Sequence, residues 1–201
     1  MLRWRVVSPP TGVKQAPRAS ALPPDERRAM IIAATLPLLL EHGEMVRTRD
    51  IALAAGIAEG TIFRVFPTKD HLITAVIEAA LDTTDLERSL AAIDPLLPLQ
   101  ERVAAAVSVL QQRVVDVWRL ASSVGIRFAE HVRRPTVASE PLVCLFETER
   151  ASLAIPASTA ARTLQAFTLA VTHPLLTEEP MPAAEVAHQF LHGVLVGANQ
   201  C

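Results

Sequence analysis

TRDIALAAGIAEGTIFRVFPTK, residues 48–69, is the stretch that decides how this chain folds. A helix-turn-helix needs a small residue where two helices cross, a residue that tolerates positive φ in the turn, and an apolar residue that locks the second helix onto the first. Ala52, Gly56 and Ile62 meet these needs at spacings of four and six residues. The spacing also fits a structural αα corner, so the surrounding sequence must decide between them.

The composition predicts an all-α protein. Half of the 201 residues are apolar, and the chain has only seven Gly and no Tyr. Strands would call for more β-branched and aromatic side chains and for frequent glycine turns. The length allows a small head joined to a larger body.

Periodicity and stop signals divide the chain into three parts. Residues 1–22 carry four basic residues and no acidic one, which is typical of a flexible basic arm. Residues 23–82 predict a compact helix-turn-helix head, with Thr68 capping its last helix. The predicted helices of the head span residues 24–41, 48–55, 59–66 and 69–81. Residues 83–201 predict a helical ligand-binding and dimerisation body, in which prolines separate the periodic segments.

Two helices at the end of the body, predicted for residues 158–173 and 182–200, are the candidate dimer contact. The second contains one acidic residue, Glu185, and no Lys or Arg, so we expect it to be covered on both sides. Apolar stripes on the two helices could pair across a two-fold axis as a four-helix bundle. Burial within one subunit is the alternative. The stripes comprise Ala161, Leu164, Phe167, Thr168, Val171, Val186, Phe190, Val194 and Gly197.

Charge and cysteine content narrow the classes of function. The net charge is −2, and residues 24–82 hold six basic against nine acidic residues, so any DNA contact must come from a local patch. Cys144 and Cys201 lack the spacing of a metal site or a disulfide framework, as in a reducing compartment. Without a secretory signal or an apolar run of membrane-spanning length, we expect a cytoplasmic protein that does not enter a membrane.

The body offers a candidate ligand cavity but no catalytic constellation. Cavities combine aromatic walls with a few polar groups, although each such residue taken singly could equally be packed in the core. The candidates are Trp118, Arg127, Phe128, His131 and Phe146. Ser122, Ser123, His131 and Cys144 share no triad or metal-ligand spacing, so we predict no enzymatic activity, no cofactor and no metal.

The segment AAGIAEGTIFRVFPTKDHL, residues 54–72, resembles the DNA-binding head of the TetR family of bacterial transcriptional regulators. The resemblance extends from about Arg28 to Leu81, while the rest of the chain shares only helical character and length with that family's variable body. It implies a homodimer whose two recognition helices enter successive major grooves of a palindromic operator. It also implies that a small molecule bound in each body changes the separation of those helices.

The resemblance assigns DNA contacts residue by residue. Phe63 takes the place of a Tyr that touches the DNA backbone, and Lys69 matches a phosphate-binding Lys at a helix N-terminus, a location suited to an anion. Arg64 can bond guanine O6 and N7 with its planar fork. The full set of implied contacts is Arg47, Thr48, Arg49, Glu59, Gly60, Thr61, Phe63, Arg64 and Lys69.

Some positions depart from the family pattern. Ala58 stands where a Ser cap is usual, which should cost about 1 kcal/mol of helix stability unless another group substitutes. Phe63 and Val65 lack the polar groups common at those positions, and the segment before Ile51 is one residue short. We interpret the chain as a ligand-responsive repressor that binds double-stranded DNA as a homodimer, with a small apolar or amphipathic effector. The alternative is a helical small-molecule or protein-binding module that has lost DNA recognition.

Overall fold

The computed structural model describes residues 23–125, 128 and 139–194, with side chains as far as His192. Within these residues the chain is helical and contains no extended strand, which confirms the all-α prediction. The basic arm predicted for residues 1–22 lies outside the described residues.

Four helices form the head (residues 23–82), each within one residue of its predicted end. Pro24 opens the first helix, where its missing N–H removes no hydrogen bond, and Gly43 ends it with a φ of 55°. The hydroxyl of Thr68 accepts a hydrogen bond from the backbone N–H of His71 at 3.2 Å, which confirms the predicted cap. The helices are α1 (Pro24–His42), α2 (Thr48–Ala54), α3 (Glu59–Val65) and α4 (Lys69–Leu81), with a 3-10 turn at Gly43–Met45.

Five more helices form the described part of the body (residues 83–194). Pro98 and Pro156 stand immediately before two of them, and Pro141 lies in the first turn of a third, where the missing N–H of proline removes no intrahelical hydrogen bond. The helices are α5 (Thr84–Ala91), α6 (Leu99–Val124), α7 (Glu140–Glu147), α8 (Ala157–Ala170) and α9 (Ala183–Val194), with a 3-10 turn at Arg150–Ser152.

Helix α6 belongs to two hydrophobic cores. Its N-terminal half contributes Val103 and Val107 to a cluster with α5, α7, α8 and α9. Its C-terminal end contributes Leu120 and Val124 to a second cluster with α1 to α4. At 26 residues the helix is about 39 Å long, so one rigid rod connects the two cores.

The predicted dimer stripes are largely buried within a single subunit. Side chains with almost no exposed surface in one chain stabilise its core, and they offer no surface on which a second subunit could pack. The assignment of five residues to the dimer contact is therefore corrected to core packing: Ala161, Leu164, Thr168, Val186 and Phe190. Phe167 and Val171 are half-buried, while the Val194 side chain and Gly197 lie outside the described part of the chain.

Helix α9 is not apolar on every side. It buries Val186 and Phe190 against α6 and α8, and it exposes His188 and His192. The absence of Lys and Arg suggested a helix covered all round, but histidine and glutamine supply the polar face here. One subunit therefore satisfies the apolar side of α9 by itself.

Arg102 near the start of α6 is a buried cation that no sequence pattern indicated. It is 5% exposed, and its guanidinium donates to the carboxylate of Glu149 and, at 2.9 Å, to the hydroxyl of Thr148. Its Nε donates to the carbonyl of Leu97 at 3.0 Å. Because buried charges require partners, these bonds fix the start of α6 against the end of α7.

The head and body meet closely at Gly43. A Cβ added to this glycine would lie 2.6 Å from the carbonyl oxygen of Ser123 in the last turn of α6. The Ser123 hydroxyl in turn donates to the carbonyl oxygen of Leu40 at 3.2 Å. The end of α1 therefore approaches α6 at backbone distance, which only glycine allows.

We predict that Gly43→Ala destabilises the protein more than Gly125→Ala. Both glycines have the same kind of backbone, with φ of 55° and 58° and ψ of −146° and −132°, so alanine should introduce strain of the order of 1–3 kcal/mol at each. Only at Gly43 does the new Cβ also collide, adding about 1 kcal/mol or more. Urea unfolding of both variants measures the difference, and equal losses of stability would contradict the close contact.

Candidate functional site

The turn between α2 and α3 has the geometry of a helix-turn-helix. Ile62 is fully buried and Ala52 is 4% exposed, so the two side chains lie in the interior of the head. Gly56 adopts a φ of 65°, and the backbone N–H of Ile57 donates to the carbonyl of Ala52 at 3.0 Å. The small residue, the positive-φ turn and the apolar lock are all found where the sequence predicted them.

Helix α3 presents a face to solvent because Ile62 faces inward. Glu59, Gly60, Phe63 and Arg64 are exposed, and Thr61 is half-buried. A Cβ at Gly60 would meet no atom within 4 Å, so the surface there is open to a ligand that approaches the backbone closely. The structure thus brings together the five residues of α3 that the sequence analysis singled out.

Glu59 sits at the start of α3, where the usual cap is missing. Ala58 has no side chain that could bond the free N–H groups of the first turn. A carboxylate in that turn interacts favourably with the positive end of the helix dipole. The hydroxyl of Thr48, the first residue of α2, donates to Oε1 of Glu59 at 2.5 Å. This hydrogen bond joins the N-termini of the two helices.

Basic residues flank α3. Arg47 and Arg49 are exposed at the start of α2, and Arg64 is exposed on α3 itself. Lys69 at the start of α4 is half-buried, and its ammonium donates to the backbone carbonyl of Glu44 at 2.5 Å. Lys69 therefore also ties α4 to the 3-10 turn, a role that the sequence did not reveal because the two residues lie 25 positions apart.

Two of the five predicted cavity residues line one pocket in the body. Trp118 and Phe128 share a pocket of about 380 Å³ with apolar residues of α6 and α8. The Trp118 ring meets the ring of His173 edge-on at 4.5 Å between centroids. Nδ1 of His173 accepts a hydrogen bond from the backbone N–H of Leu175 at 3.3 Å, which leaves Nε2 as the ring's N–H donor. The other lining residues are Arg113, Val114, Val117, Ala121 and Leu169.

The remaining predicted cavity residues do not join this pocket. Phe146 is fully buried in the body core, where its ring contacts that of Phe190 at 5.8 Å between centroids. Arg127 and His131 lie outside the described residues. Phe146 therefore packs the core, as the alternative interpretation had it.

Arg113 links the pocket to the head. Its guanidinium donates to the carbonyl oxygen of Ala80 in the last turn of α4 at 2.5 Å, while its side chain borders the pocket. Burial lowers the pKa of Arg113, and the nearby carboxylates of Asp116 and Asp82 partly oppose this effect. An arginine stays protonated at neutral pH despite such a change, so the bond to Ala80 keeps its charge.

Comparison with known proteins agrees with the helix-turn-helix. A family model described as "Bacterial regulatory proteins, tetR family" matches residues 31–76, which include α2, α3 and most of α1 and α4. Residues 31–76 thus form a head of the TetR-family type. The match lies within the head and includes no residue of the body.

Two curated relatives match part of the chain. The HTH-type transcriptional repressor KstR of Mycolicibacterium smegmatis is 36% identical over 76 residues, which is 37% of this chain and 37% of that protein. KstR of Rhodococcus jostii is 39% identical over 61 residues, 30% of this chain and 29% of that protein. The match thus spans little more than a third of these relatives.

Solved structures extend the likeness to the whole fold. A transcriptional regulator from Rhodococcus sp. Rha1 has a TM-score of 0.54 at 21% identity, covering 83% of this chain and 97% of that one. NalD of Pseudomonas aeruginosa has a TM-score of 0.53 at 23% identity, covering 87% and 100%. At these identities the comparison shows a shared fold, in which a helix-turn-helix head is followed by a helical body.

The described residues provide neither a metal-binding cluster nor a membrane-spanning helix. No cluster of three or more His, Cys, Asp or Glu side chains is arranged to hold a metal ion there. In the same part of the chain, each helix is either too short or too polar to cross a bilayer.

Proposed function

We propose that this protein is a transcriptional repressor that binds a palindromic operator as a homodimer and is controlled by a small apolar or amphipathic effector. The observation that carries the proposal is the exposed face of α3, with Arg64, Gly60 and Phe63 outward and Ile62 buried beneath. The second helix of a helix-turn-helix, when its outer face is exposed in this way, can enter a major groove and place its N-terminal residues on base edges. KstR and NalD, two of the similar proteins, are named as repressors, which supports repression over activation.

Directed contacts, rather than bulk charge, should carry the affinity for DNA. The head has six basic and nine acidic residues between Pro24 and Asp82, hence a formal charge of −3. Sequence-independent binding depends on the number of phosphates that Lys and Arg neutralise. We therefore expect that each of three exposed arginines, Arg47, Arg49 and Arg64, contacts an individual phosphate or base. Binding to unrelated DNA should be weak.

A homodimer would use the outer faces of α8 and α9. These faces expose Ala166 and Ala170 on α8 and His188 and His192 on α9. Small residues allow helices to approach closely, and two antiparallel pairs can form a four-helix bundle around a two-fold axis. This proposal replaces the buried stripes with the surface that one subunit leaves uncovered.

The pocket beside Trp118 is the proposed effector site. Its walls are almost entirely apolar, and the Nε2–H of His173 could donate one hydrogen bond to a carbonyl or hydroxyl of the effector. Arg113 borders the pocket and also bonds the end of α4. An effector that displaces its side chain would therefore act on the head through a direct contact.

A helical binding module without DNA recognition is the second candidate. The absence of a capping side chain at Ala58 and the acidic head favour it. A salt titration separates the two candidates, because a repressor gives a sequence-dependent complex that weakens as salt rises. The proposed regulator has no catalytic role, and the alternative has none either.

The DNA-binding proposal predicts different effects for two basic residues. Arg64→Ala should cost about 1–3 kcal/mol of operator binding and relax sequence preference, because it removes a base contact. Lys69→Ala should weaken binding to all DNA alike and lower the salt slope by about one. Fluorescence anisotropy with operator and random duplexes at several salt concentrations measures both effects.

Arg88→Ala is the matched control. Arg88 is exposed on α5 of the body, so its loss removes one positive charge without touching the head. Its operator affinity should equal that of the unmodified protein. Unchanged operator affinity in Arg64→Ala would contradict the role of α3.

The effector proposal predicts that filling the pocket weakens ligand binding. Ala121→Phe places a ring inside the pocket, so binding of the neutral dye N-phenyl-1-naphthylamine should weaken about tenfold or more, equivalent to about 1.4 kcal/mol. Ala33→Phe, on the exposed side of α1, should bind the dye as the unmodified protein does. Dye fluorescence measures both, with thermal unfolding as the check on folding. Equal dye affinity in the two variants would place the ligand elsewhere.

A further inference from the structure

We propose that Glu59 reads a cytosine in the operator and that Thr48 holds its carboxylate in position to do so. The inference rests on the proposed function, since it names the base that the DNA-binding surface recognises. The observation behind it is a pair of polar side chains at the N-termini of α2 and α3. Neither is explained by the packing of the head.

The two residues are 11 positions apart and meet at the exposed entrance to α3. The Thr48 hydroxyl donates to Oε1 of Glu59 at 2.5 Å, with Thr48 half-buried and Glu59 exposed. Oε2 has no hydrogen bond within the residues that the structure describes. One oxygen is thus anchored, while the other is free to accept a hydrogen bond from outside the protein.

The location suits contact with bases. The N-terminal residues of a recognition helix are those that reach base edges in the major groove. Glu59 is the first residue of α3, and neighbouring Ala58 has no polar group that would compete for its carboxylate.

The chemistry of a carboxylate selects one base. An ionised carboxylate only accepts hydrogen bonds, and cytosine presents N4–H₂ as a donor in the major groove. Adenine also has a donor there, but its N7 acceptor lies beside it and would face the carboxylate's negative charge. Guanine N7 and O6 and thymine O4 are acceptors as well. Cytosine is therefore the base that gains most from Glu59.

Anchoring by Thr48 sharpens this preference. A free glutamate side chain loses rotamer entropy when it binds a base, and a side chain already fixed in its bound conformation loses less. The hydroxyl also draws one carboxylate oxygen back toward α2, which limits the reach of the other. Thr48 is in this view a positioning residue for Glu59.

Selection of duplexes from a random double-stranded DNA library by the full-length chain tests the proposal. The unmodified protein should enrich a palindromic site with cytosine at one position of each half-site, favoured about 5- to 150-fold over other bases. Glu59→Gln should change that base to adenine, because a side-chain amide matches adenine N6 and N7. Other positions of the site should stay the same.

Thr48 variants and a charge control complete the experiment. Thr48→Val removes the hydroxyl at similar volume and should reduce the preference for cytosine, whereas Thr48→Ser keeps the hydroxyl and should retain it. Glu78→Gln removes the same charge from the exposed side of α4 and should select the same site as the unmodified protein. A purely structural role for the pair would lower the stability of the Val variant without changing the base at any position.

The outcomes separate this inference from the proposed function. If the unmodified protein selects a palindrome and Glu59→Gln selects the same bases with the same preference, the cytosine contact is wrong and the repressor proposal stands. If the unmodified protein enriches no sequence at all, both are overturned. Equal base preference in Thr48→Val and Thr48→Ser would remove the positioning role of Thr48.

Discussion

The burial of Ile62 is the constraint on which the exposed face of α3, the proposed DNA-binding surface, depends. Because Ile62 is enclosed with Ile51 and Ala52 in the head core, a helix of 3.6 residues per turn must turn Gly60 and Arg64, each two residues away, toward solvent. The positive φ of Gly56 makes that packing possible by reversing the chain within a few residues. The seven-residue α3 has little stability of its own. Its position is therefore a product of the core beneath it.

The body is connected to the head through α6 rather than through a flexible linker. The C-terminal end of α6 lies in the head core, and its last turn meets Gly43 at backbone distance. A hydrogen bond from the Arg113 guanidinium to the carbonyl oxygen of Ala80 joins the same two parts at a second place. A shift of α6 relative to the body core would have to move the head with it. This arrangement gives a pocket bordered by α6 a physical route to the exposed face of α3, the proposed DNA-binding surface.

The head could be predicted from the sequence because its signals are local. The turn at Gly56, the cap at Thr68 and the apolar lock at Ile62 act over a few residues, and each is found where it was expected. Contacts between distant residues could not be predicted. The bond from Thr48 to Glu59 and the bond from Lys69 to the Glu44 carbonyl depend on how the helices are placed in space.

The assignment of five stripe residues to the dimer contact was wrong for a related reason. Apolar periodicity shows which face of a helix is covered, but it does not show whether the covering helix belongs to the same subunit. For Val186 and Phe190 the covering residues lie on α6 and α8 of one chain. The prediction also relied too much on the absence of Lys and Arg in α9, whose histidines form a solvent-facing side. Only the packing of the folded subunit shows whether the covering helix belongs to the same chain.

Hydroxyl-radical footprinting of the full-length protein on its selected duplex tests the central claim most directly. Two copies of α3, held outward by their buried Ile62 side chains, should protect two tracts whose centres lie about 34–36 Å apart along the duplex, one helical turn. The protected tracts should be related by the two-fold symmetry of the site. A single protected tract, or protection without regard to the helical repeat, would contradict the account.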